Sequence, residues 1–78
     1  MSDERYRFAA QQLWYWQHRR GDNFSCLLYD LIAKADPENR ARLALGFPEY
    51  VACWNAWCAS GEYGEEFFRE NGITGPEA

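Results

Sequence analysis

The sequence predicts an all-α domain, a compact bundle of four to five short helices with an aromatic-rich core. Three observations lead there. Apolar residues recur at helical spacing (i, i+3, i+4, i+7) along most of the 78 residues. Glycines, prolines and Asp/Asn caps punctuate these runs at intervals of one short helix. Phe, Tyr and Trp make up 18% of the chain, and each ring can bury about 150–250 Å². A domain this short buries only about 60% of the surface its unfolded chain exposes. Large rings therefore stand in for the disulfides or metals that staple many small domains.

Ser2 or Asp3 caps a first helix that runs to Arg20, with Gly21 as its stop. Tyr6, Ala9, Ala10, Leu13, Trp14 and Trp16 fall in one arc of about 160°, which is the expected core face. Phe8 and Tyr15 lie on the opposite side, with Arg19 continuing their row. Either the third or the last helix covers them, or they anchor a partner.

Asp22 or Asn23 caps a second helix ending near Ala35, in which Phe24, Leu27, Leu28, Leu31, Ile32 and Ala35 form the expected core stripe. Cys26 and Tyr29 sit at its margin or beyond. Asp36 and Pro37 stop this helix and start a third, from Pro37 to Leu45, closed by Gly46 and supplying Leu43 and Leu45 to the core. Phe47 packs down after the turn. Pro48 opens a fourth helix to about Ser60, with Tyr50, Val51, Cys53, Trp54, Trp57 and Cys58 facing inward. Gly61 ends it. The segment from Glu62 to about Asn71 sets Tyr63, Phe67 and Phe68 against a glutamate-rich face, and Gly72 closes it. Gly64 costs its first turn about 1 kcal/mol, so order is expected from Glu65. Residues 1–72 are read as one domain and 73–78 as a flexible tail.

Charge and cysteine usage narrow the chemistry. The net charge is −4, and residues 1–61 are balanced, so the excess lies in Glu62, Glu65, Glu66, Glu70 and Glu77 against Arg69. An acidic end repels nucleic acid and would attract a basic partner. The three cysteines are an odd number with no apolar signal stretch before them, which leads us to expect reduced thiols and a cytoplasmic location. No apolar run approaches the roughly 20 residues of a membrane span.

No catalytic constellation emerges. His18 sits beside Gln17, Arg19 and Arg20 near a helix end, where it is expected to engage the last carbonyls. Cys53 and Cys58 diverge by about 140° around a helix and cannot chelate one zinc together. Phosphate-loop, nucleophile-elbow and zinc-protease motifs are absent. We therefore expect neither an enzyme nor a bound metal or cofactor. The expected function is a non-enzymatic protein–protein interaction module using Phe8, Tyr15, Arg19, Glu65 and Glu66. A homodimer through the first helix would also cover Phe8 and Tyr15. The alternative is nucleic-acid contact through the arginines and aromatics of that helix, although Arg5, Arg7, Arg19 and Arg20 form no single basic stripe.

Within Asp30–Trp57, the run AKADPENRARLALGFPEYVACWNAW joins Ala-Asp-x-x-Asn-x-x-x-Leu (Ala35, Asp36, Asn39, Leu43) to Gly-Phe-Pro-Glu (Gly46 to Glu49). It resembles small helical proteins of unassigned function from bacteria and their phages or prophages. The resemblance implies a helical accessory protein that modulates a host or phage complex, and it transfers no catalytic residue. It would also account for Asn39 as a first-turn residue bonding back towards Asp36.

Overall fold

Local chemistry decides where each helix begins and ends. In a computed structural model, which describes residues 3–18 and 21–73, α1 (Asp3–His18) carries Asp3 and Glu4 in its first turn and His18 in its last. The two acids suit the positive end of the helix dipole. The stretches of the sequence reading that fall on Ser2, Arg19, Arg20 and residues 74–78 lie outside the described residues. The Asn23 side chain accepts from the Cys26 N–H at 2.8 Å and opens α2 (Phe24–Lys34). Asp36 accepts from the Asn39 N–H at 2.8 Å and, with Pro37 in the first turn, opens α3 (Pro37–Gly46). Pro48, in the first turn, opens α4 (Pro48–Ala59) without a side-chain cap. A 3-10 turn, Glu62–Gly64, then leads into α5 (Glu65–Glu70).

Helix α4 is the centre of the bundle, packed on α1, α2, α3 and α5, while α1 also packs on α2. Ala9, Ala10 and Leu13 are fully buried. The two alanines leave room for neighbouring backbones, and the rings fill the space around them. Trp16 touches three other rings, Tyr29, Trp54 and Trp57, with centroids 5.6 to 6.3 Å away. Its indole N–H donates to Asp30 at 2.8 Å. The helical, aromatic-cored fold is as the sequence predicts.

Helix α2 departs from expectation. Ser25, Leu28, Tyr29 and Ile32 are buried, and so is Cys26, whereas Phe24, Leu27 and Leu31 are more than half exposed. The helix is turned roughly 80° from the orientation its leucines imply, at about 100° per residue. Tyr29 explains the turn. Its ring buries more area than a leucine and carries a hydroxyl that needs a partner, found in the Ala9 carbonyl oxygen at 2.8 Å. Ser25 adds a hydroxyl contact to Tyr50 at 2.7 Å.

Four smaller corrections follow from geometry. Leu45 is 87% exposed; two positions along a helix from half-buried Leu43, it points to the other side. Cys58 is exposed, at the margin of the arc that buries Val51, Cys53 and Trp54. Tyr63 has a left-handed backbone (φ 59°) and faces solvent, not the core beside Phe67 and Phe68. Ile73 belongs to the core and not to a tail. Gly72 (φ 73°) donates to the Arg69 carbonyl and Ile73 to the Phe68 carbonyl, which is a Schellman closure that folds Ile73 back onto α5.

Candidate functional site

The residues singled out from the sequence do not form one site. Phe8 stands out from α1 at 57% exposure, over a groove walled by Asp3, Arg7, Gln11, Gln12, Tyr15 and Ile73. Tyr15 is half-buried, its ring edge-on to Trp14 at 5.5 Å. It is therefore a wall of the groove, while Phe8 alone projects. Glu65 lies across Ile73, in a second cleft with Trp14, His18, Trp57, Phe68 and Arg69. Glu66 lines neither groove. Both glutamates occupy the first turn of α5, where the helix dipole already favours acids. Arg19 lies outside the described residues.

The surface that sequence reasoning missed is on α2. Phe24, Leu27 and Leu31 form a solvent-facing row, and the Phe24 ring rests against Phe47 at 5.8 Å. At the other end, Leu31, Lys34 and Ala35 face Asn39, Arg42 and Leu43 of α3 across a shallow groove. The signal was present: α2 has apolar residues at more angles than one buried face can absorb. Counting Cys26 and Tyr29 among them would have shown that something must be left outside.

His18, Tyr29 and Cys53 are engaged in structure. His18 Nδ1 lies 2.9 Å from the Trp14 carbonyl oxygen, and its ring stacks on Trp14 at 4.2 Å. This is the end-of-helix role expected for it. Among the described residues, no three His, Cys, Asp or Glu side chains stand together as a metal site would need. Cys53 is fully buried and its thiol donates to the Tyr6 carbonyl oxygen at 3.4 Å. Burial pushes its pKa from 9.0 up to about 12, so at neutral pH it is held as the thiol, the unreactive form. Tyr29 is raised for the same reason, by desolvation.

These raised values predict alkaline weakening. The folded Cys53 thiol keeps its proton to about pH 12 while the unfolded one releases it near 9.0. Stability is thus intact below pH 9.0 and falls as pH rises through that window. The loss approaches about 1.4 kcal/mol per pH unit for each such group. Tyr29 adds a loss of the same sign above pH 10.0. Urea midpoints measured at successive alkaline pH values should fall steeply, and Cys53→Ala should make the slope shallower by one proton. A midpoint that stays level would contradict the burial argument.

Comparison with known proteins adds no relative: the chain matches no protein-family model, no curated protein and no solved structure. Among the described residues, no helix is long and apolar enough to cross a membrane.

Proposed function

We propose that this chain is a non-enzymatic protein–protein interaction module, acting by surface complementarity. The observation that carries this reading is the amount of large apolar side chain left in solvent: Phe8, Phe24, Leu27, Leu31, Leu45 and Tyr63 are each more than half exposed. Single exposed apolar residues are ordinary, but a row of three on one helix beside a groove is the pattern of an interface. The Phe8 groove is a second such surface, with Asp3, Glu4 and Arg7 as its polar rim. Aromatic anchors ringed by polar residues are where binding energy concentrates.

The resemblance of residues 30–57 to small helical proteins of unassigned function from bacteria and their phages or prophages would imply a partner within a host or phage complex. Nucleic-acid contact is the weaker reading. Trp16 is buried and Trp14 is stacked on His18, which leaves neither as a free platform for bases.

A photo-crosslinking residue placed at position 8 tests the module. The expected result is a discrete adduct with one protein, whose affinity for the purified chain drops at least about tenfold on Phe8→Ala. Phe8 is exposed, so the fold should survive the change. The reading fails when neither position 8 nor the α2 row yields a discrete adduct.

A further inference from the structure

We infer that the outer row of α2 is a self-association surface, closed by the same row of a second copy in antiparallel register. The inference rests on the interaction-module reading and names the occupant of one of its two surfaces. A helix that is apolar all round belongs inside, and α2 is apolar nearly all round. Ser25, Leu28, Tyr29 and Ile32 face the core, while Phe24, Leu27 and Leu31 share an outer arc of about 60°.

Charge placement selects a second copy and its direction. Exposed Asp22 precedes α2, and exposed Lys34 ends it. With two copies antiparallel about a two-fold axis near Leu27 and Leu28, Phe24 meets the partner copy's Leu31, and Leu27 approaches its own mate. Lys34 then comes opposite the other copy's Asp22, at both ends of the seam. The two lysines stay about 20 Å apart, at 1.5 Å per residue. A parallel pair would instead set Lys34 on Lys34 and Asp22 on Asp22, which costs affinity. The antiparallel arrangement also opposes the helix dipoles. It is isologous, so it closes as a dimer and does not grow into a filament.

Three anchors with Phe47 and the α3 groove make a small interface, below the roughly 800 Å² per partner of standard complexes. The pair is accordingly weak and concentration-dependent. It leaves the Phe8 groove on α1 open, so the dimer presents two copies of that surface.

Sedimentation velocity on the full chain, from about 5 to about 500 µM, tests this. The mass should climb from one chain towards two. Leu27→Glu, which sets two carboxylates together at the axis, should hold the chain monomeric throughout with unchanged far-UV dichroism. Lys34→Asp should weaken the pair about tenfold, and adding Asp22→Lys should restore it. Phe8→Asp should leave it intact. A wild-type chain that stays monomeric, a dimeric Leu27→Glu variant, no rescue by the double swap, or dissociation by Phe8→Asp each overturns the inference. A monomer that still binds a partner through Phe8 refutes the pair alone. A dimer with no partner at Phe8 refutes the heterologous module and leaves the pair standing.

Discussion

Trp16→Ala should remove a large share of the folding stability. Trp16 is the ring on which α1, α2 and α4 converge, in contact with Tyr29, Trp54 and Trp57 and bonded to Asp30. Truncating a buried tryptophan costs about 3–5 kcal/mol. At roughly 0.05–0.15 kcal/mol per residue, a chain of this length has only about 4–12 kcal/mol in total. The variant should melt at least about 12 °C below wild type, with weakened near-UV dichroism. Trp16→Phe, which keeps part of the ring and loses the bond to Asp30, should fold with a lowered midpoint. A Trp16→Ala protein that melts cooperatively within a few degrees of wild type would show that the ring cluster is not the keystone.

Gly64→Ala should undock the last helix. Gly64 is buried in a left-handed conformation (φ +66°), and a Cβ there would collide with Cδ1 and Nε1 of Trp57. Trp57 cannot swing aside freely, because its Nε1–H donates to the Gln17 side-chain oxygen at 2.7 Å. The cost combines backbone strain of about 1–2 kcal/mol with an overpacking penalty of about 1–3 kcal/mol. Hydrogen exchange should rise first in α5, whose Phe67 and Phe68, with Ile73, are held against the bundle through this turn. Gly72→Ala is the control: φ is +73° there, and the new Cβ meets only the flexible end of the Arg7 side chain, so little beyond the strain is incurred. Equal effects at the two glycines would disprove the collision. The position that the sequence alone marks as a weak start for a helix is thus a point of close contact.

The distance between sequence and structure is clearest on α2. Its existence, its Asn23 cap and its end before Asp36 were all legible, since each depends on neighbours within one turn. Its orientation was not. The leucines alone choose one face, but Tyr29 outweighs them once Ala9 offers an acceptor and α1 offers a concave surface, and both lie some twenty positions away. The same holds for the candidate surfaces. Phe8 could be read as surplus to α1 because α1 has one clear core arc, whereas the surplus on α2 depends on which arc wins.

By itself the sequence determined the helical class, the boundaries of α2, α3 and α4 to within a residue or so, and the need for an aromatic core. These follow from caps, prolines, periodicity and size, which act locally or through composition. Only the tertiary structure decided which way α2 turns, that Gly64 must be glycine, that Ile73 closes the core and that the apolar row lies outside. Such outcomes are set by competition for a limited interior. Each ring's claim depends on its volume and on a polar partner supplied by a distant part of the chain.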